Sequence, residues 1–103
     1  MKGFFKNIEQ ATVENTDFRR VLYTGAHSQL VLMSLKPNEE IGSEVHESND
    51  QFFRVEAGTG KVLIDETTYE ISAGDVIIVP AGARHNVINV STIDDLKLYT
   101  LYS

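Results

Sequence analysis

The sequence contains no cysteine and no long apolar run. Without cysteine it has neither a disulfide framework nor a thiolate metal ligand. This is compatible with a reducing cytoplasm, and we expect a cytoplasmic protein. No stretch approaches the roughly 20 apolar residues of a membrane span, and no apolar signal segment follows Met1 and Lys2. The composition therefore predicts no membrane partner.

Positive charge is also scarce. The chain has 9 Lys and Arg residues against 15 Asp and Glu residues, a net charge of -6. Nucleic-acid binding depends on basic patches that neutralise phosphates, so this balance argues against a nucleic-acid partner, and it gives anionic substrates no long-range steering. With 103 residues, 42% of them hydrophobic, the chain is predicted to form one globular domain over residues 1–103.

Short β-branched and apolar stretches, separated by turn residues, fill most of the chain. Two of them, 18–24 and 28–35, are predicted to form a hairpin across Gly25 and Ala26, and Gly58 marks a second turn. Further strands are predicted at 44–46, 51–56, 61–65, 68–71, 76–79, 85–90 and 96–102. Only residues 7–14 suggest a helical turn. This pattern predicts an all-β sandwich or closed barrel.

Alternation along the strands brings several polar side chains to shared faces. Glu44 and His46 are two residues apart and point the same way, and Gln51 and His85 each begin a strand face that is otherwise mostly apolar. If these faces all point into a barrel, two histidines, a glutamate and a glutamine converge. Strands hold side chains rigidly enough for metal ligands, so the four are candidate ligands.

Two stretches resemble the paired motifs of a known family. The second stretch matches every fixed position of the pattern G-x5-PxG-x2-H-x3-N, at Gly74, Pro80, Gly82, His85 and Asn89. The first stretch matches the pattern G-x5-HxH-x3,4-E-x6-G in part, through His46 and Gly58. The chain resembles small single-domain cupins, of the kind often labelled phosphomannose-isomerase-like. This resemblance implies a double-stranded β-helix, or jelly-roll, barrel.

The resemblance also implies a ligand set, which this chain alters. The usual cupin site has three histidines and one carboxylate, whereas here Glu44 replaces the first histidine and Gln51 replaces the glutamate. The implied ligands are Glu44, His46, Gln51 and His85. Nitrogen and oxygen donors without sulfur suit a divalent transition metal such as Fe, Mn, Ni or Zn. Because an amide does not titrate, Glu44 is the candidate catalytic residue for proton transfer.

Other interpretations of these residues require no metal. Glu44 and His46 fit an exposed strand edge, and Gln51 fits a buried amide bonded to His46 or His85 in a metal-free cavity. His27 has no motif around it and is predicted to lie on the surface. The resemblance implies that small relatives often dimerise, and we expect a homodimer. Phe4, Phe5 and Phe52 are candidates either for a dimer contact or for covering one end of the barrel.

The substrate class is predicted from the strand faces. Arg54 and Arg84 point away from the ligand face, so a phosphorylated sugar is poorly supported. An apolar substrate pocket is predicted, lined by Phe53, Val55, Val87, Leu96 and Leu98. We therefore expect a metal-dependent enzyme for a small, largely apolar organic substrate, either an oxygenase or an isomerase or lyase. The alternatives are a non-catalytic metal- or ligand-binding module and a metal-free scaffold.

Overall fold

The computed structural model describes all residues from Met1 to Ser103 and contains one short helix and nine strands. The elements in chain order are α1 (Ile8–Glu14), β1 (Arg20–Thr24), β2 (Gln29–Leu35), β3 (Glu44–Val45), β4 (Gln51–Ala57), β5 (Thr59–Ile64), β6 (Thr67–Ser72), β7 (Val76–Val79), β8 (Arg84–Ile88) and β9 (Leu96–Tyr102). The predicted all-β class is confirmed.

Two antiparallel sheets form the double-stranded β-helix. One has five strands in the order β1-β2-β9-β4-β7, and the other has four in the order β3-β8-β5-β6. Their inner faces enclose a core of 11 buried apolar residues: Val31, Met33, Leu35, Phe53, Val55, Val62, Ile71, Val79, Val87, Leu96 and Leu98. Burial of this apolar surface is the main force that holds the two sheets together.

Burial alternates along the strands as the sequence predicts. On β4, Gln51 and Phe53 are buried, whereas Phe52 and Arg54 are only partly buried. On β8, His85 and Val87 face the interior. The candidate ligands Gln51 and His85 therefore lie on inward faces that are otherwise mostly apolar.

The turns explain several motif residues. Gly58 does not close a hairpin, because β4 and β5 belong to different sheets. It has φ +92°, and a Cβ atom there would clash with the backbone carbonyl of Asp95. Asn38, at the position of the first motif's opening glycine, has φ 65°, a left-handed conformation that asparagine tolerates. The hairpin between β1 and β2 is confirmed, with Thr24 paired to Gln29.

Helix α1 packs on the five-stranded sheet, against β2, β4 and β9. Asn7 caps its first turn, since its side-chain oxygen accepts a hydrogen bond from the Gln10 backbone N–H at 3.1 Å. This confirms the helical turn predicted at residues 7–14. The chain has no helix with the length and apolar character of a membrane span.

Candidate metal centre

Glu44 and His85 meet across the edge of the four-stranded sheet. They are direct partners in the antiparallel pairing of β3 with β8. His46 follows β3 immediately, and its carbonyl accepts a hydrogen bond of 2.9 Å from the Gly82 backbone N–H. The two motif stretches are thus joined by backbone contacts. One potential ligand atom from each of Glu44, His46 and His85 lies within 4.8 Å of the other two.

The side chains of Glu44 and His46 contact each other as well as solvent. His46 Nε2 lies 3.0 Å from Glu44 Oε2, and the two side chains are 30% and 40% exposed. The His46 ring also lies beside the His85 ring, with centroids 5.4 Å apart. These contacts differ from a freely solvated strand edge. The structure places three of the four predicted ligands in one cluster.

Gln51, at the start of β4, is linked to this cluster through Tyr102. Its cross-strand partner on β9 is Tyr102, whose ring packs edge-on against His46 with centroids 5.2 Å apart. The Gln51 side chain donates from Nε2 to Thr100 Oγ1 at 2.9 Å. The partner of this buried amide is therefore Thr100 rather than either histidine. Its carbonyl oxygen, Oε1, has no hydrogen-bond partner.

Gln51 Oε1 and His85 Nε2 are buried and lack hydrogen-bond partners, and the buried His46 Nε2 forms no hydrogen bond either, although Glu44 Oε2 lies 3.0 Å from it. Buried polar atoms are nearly always paired, and each unpaired one costs about 1–3 kcal/mol. His85 Nδ1 contacts the Ala83 carbonyl oxygen at 3.3 Å, and donation there leaves the Nε2 lone pair free. Lone pairs on two imidazoles and one amide, beside one carboxylate, are a donor set that fits a divalent transition metal.

A cavity of about 640 Å³ opens beside His46. Its lining is mostly polar and comes from the loop between β1 and β2, the two strand ends beside that loop, and four residues from other parts of the chain: Arg19, Thr24, Gly25, Ala26, His27, Ser28, Gln29, His46, Asn49 and Tyr102. His27 is exposed, as predicted, but it also lines this cavity. Sequence reasoning missed that second property, because no motif or periodicity marks the loop.

The residues predicted to line an apolar substrate pocket lie in the filled core instead. These five residues, Phe53, Val55, Val87, Leu96 and Leu98, are each at most 1% exposed and belong to the packed core. None of them lines the cavity beside His46. They pack against one another between the sheets as part of the filled core.

Comparison with known proteins identifies the family. A model described as "Cupin domain" matches residues 31–102, which include both motif stretches and all four candidate ligands. The chain belongs to the cupin family. Within this cupin, Asn89 has a structural role: its side-chain nitrogen donates to the Leu35 and Asp94 carbonyl oxygens at 3.0 and 2.8 Å. The likeness to phosphomannose isomerase stays a prediction.

Three relatives illustrate the similarity. Protein L612 of Acanthamoeba polyphaga mimivirus is 47% identical over 100 residues, covering 94% of this chain and 62% of the viral protein. YrkC of Bacillus subtilis (strain 168) is 44% identical over 108 residues, covering 99% of this chain and 58% of YrkC. BH2720 from Bacillus halodurans, whose crystal structure matches with a TM-score of 0.94, is 42% identical in sequence. The match covers 98% of this chain and 80% of BH2720. This cupin spans less than two thirds of the length of L612 and YrkC.

Proposed function

We propose that this cupin holds one divalent transition metal through Glu44, His46, Gln51 and His85 and acts on a small organic molecule that enters beside His46. The observation that carries the proposal is the set of three buried atoms without hydrogen-bond partners. Gln51 Oε1 is an acceptor, and His85 Nε2 is one when its Nδ1 donates to the Ala83 carbonyl. His46 Nε2 faces the Glu44 carboxylate at 3.0 Å, so a cation between them would take the place of a proton on that nitrogen. A bound cation would satisfy all three together.

The site has a fixed side and an open side. Thr100 orients the Gln51 amide, and the Ala83 carbonyl orients the His85 ring, so these two side chains are held from behind. Glu44 and His46 are only partly buried. A molecule in the cavity would therefore approach from the His46 side, where exchange with solvent remains open.

Glu44 is the proton-carrying residue in this proposal. When bound, the metal would act as a Lewis acid on an oxygen atom of the organic molecule. Glu44 supplies the only carboxylate of the cluster, and its partial exposure lets it accept or deliver a proton. Gln51 occupies the position of the family's glutamate and does not titrate. This favours a proton-transfer reaction, of isomerase or lyase type, over an oxygenase that depends on that glutamate.

Elemental analysis of untagged protein, purified without chelator, tests the proposal. We expect about one equivalent of Fe, Mn, Ni or Zn per chain, lost in His46→Ala and in His85→Ala. The matched control is His27→Ala, which removes a histidine outside the cluster and should retain the metal. Metal-free protein whose melting temperature does not respond to any of these ions would contradict the proposal. Stoichiometric metal without turnover of any aldose, ketose or hydroxy acid would instead identify a binding module.

A further inference from the structure

The cavity beside His46 carries no acidic residue. The chain as a whole has 15 Asp and Glu residues against 9 Lys and Arg residues. The cavity lining reverses this balance: its one formally charged residue is Arg19, and it contains no carboxylate. Glu44 contacts His46 but does not line the cavity. An acid-rich protein thus presents a locally basic surface at the mouth of its candidate metal centre.

Arg19 is available to bind a ligand there. It forms no ion pair with any carboxylate of the chain, and its polar contact is a long one, from Nη2 to Gln29 Oε1 at 3.4 Å. Gln29 is itself held by donation to Thr24 Oγ1 at 3.0 Å. A guanidinium with free N–H groups is suited to binding a carboxylate through two parallel hydrogen bonds.

We propose that this cavity recognises a small organic acid whose carboxylate binds Arg19 while its other polar end faces His46 and the metal centre. This inference rests on the proposed metal site only for the contact between the acid's other polar end and the metal centre. The cavity volume of about 640 Å³ suits a small molecule. One arginine and no lysine in the lining match a single carboxylate better than a phosphate dianion, which usually takes several cationic partners. The polar lining argues against a largely apolar substrate.

The binding test uses pyruvate as the carboxylate probe and pyruvamide as its uncharged counterpart. Isothermal titration calorimetry on the metal-loaded protein should show pyruvate binding and at least about tenfold weaker binding of pyruvamide. Arg19→Gln should weaken pyruvate binding by about tenfold or more and leave metal content unchanged. The control is Arg20→Gln, since the neighbouring Arg20 lines a different cavity beside α1.

The outcomes separate this inference from the metal proposal. Equal binding of pyruvate by the Arg19→Gln and Arg20→Gln variants would overturn the role of Arg19 while leaving the metal proposal intact. Tighter binding of inorganic phosphate than of pyruvate, lost in Arg19→Gln, would overturn the carboxylate assignment. If the protein holds no metal, the same titrations on the metal-free form still test the carboxylate subsite. Loss of pyruvate binding in Arg19→Gln supports this subsite, and equal pyruvate binding by Arg19→Gln and the unsubstituted protein overturns it.

Discussion

The Gln51 side chain donates a hydrogen bond of 2.9 Å to the Thr100 hydroxyl, and both residues are almost fully buried. The bond joins the first residue of β4 to the inner face of β9. The bond fixes the orientation of the amide, whose oxygen has no hydrogen-bond partner. Thr100 is therefore a positioning residue for a candidate ligand, acting from outside the ligand set.

Removing the Thr100 hydroxyl should weaken metal binding without removing a ligand. Thr100→Val keeps the side-chain shape but offers no acceptor, so the Gln51 amide is free to rotate. We expect metal affinity to fall by about 10- to 100-fold, a typical cost of losing such a supporting contact. Competition with a chromogenic chelator measures this affinity. Thr100→Ser, which keeps the hydroxyl, should restore most of it, and equal affinities in the two variants would exclude the positioning role.

Exchanging the carboxylate and the amide between positions 44 and 51 should preserve metal binding. Glu44→Gln alone removes the one carboxylate of the cluster and should lower metal affinity strongly. Adding Gln51→Glu restores the charge at the family's usual position, and we expect metal content to recover. Without metal, Gln51→Glu alone should lower the melting temperature, because a carboxylate at this buried position lacks a cation. A melting temperature unaffected by metal in Gln51→Glu would contradict a ligand role for residue 51.

Substitution of Gly58 should destabilise the fold more than substitution of another glycine with similar backbone angles. Gly58 and Gly74 have φ values of +92° and +95°, so alanine at either position has an unfavourable backbone conformation. Only at Gly58 does the added Cβ also meet backbone, at Asp95 and Leu96. We expect Gly74→Ala to cost about 1–2 kcal/mol and Gly58→Ala at least about 1 kcal/mol more. Urea denaturation of both variants measures the difference.

Alkaline pH should destabilise the protein through Tyr99. Burial raises the pKa of Tyr99 above its ordinary value, and the Glu56 carboxylate raises it further, against an opposing effect of Arg54. The folded state therefore holds this proton more tightly than the unfolded state. The resulting stabilisation is complete below the ordinary tyrosine pKa of about 10 and is lost as pH rises through the folded-state value. Urea denaturation between pH 8 and 11 should show a fall in unfolding free energy that is smaller in Tyr99→Phe.

The sequence predicts the fold and the ligand faces for clear physical reasons. Alternation on β4 and β8 determines which side chains point inward, and it correctly turns Gln51 and His85 toward the interior. Alternation shows which way a side chain points but not whether open space lies beside it. Phe53 and Val55 point inward as well, yet lie where the opposite sheet fills the space. Inward direction alone therefore could not locate the open cavity.

Two features of the site depend on contacts that local patterns do not encode. The Gln51 amide is oriented by Thr100, 49 residues away in sequence. The cavity is lined by His27, in the loop between β1 and β2, and by Arg19, just before β1, and neither residue carries a periodic signal. The position of that loop follows from the packing of β2 against β9. Only the assembled structure brings it beside His46.

The most direct measurement is a crystal structure of metal-loaded protein with anomalous diffraction data at the absorption edge of the bound metal. The metal proposal predicts one strong peak per chain, about 2.0–2.2 Å from His46 Nε2, His85 Nε2, Gln51 Oε1 and a Glu44 carboxylate oxygen. A peak that contacts the histidines but not Gln51 would remove residue 51 from the ligand set. An ordered water in place of the peak, bonded to the same three buried atoms in metal-saturated crystals, would contradict the metal centre itself.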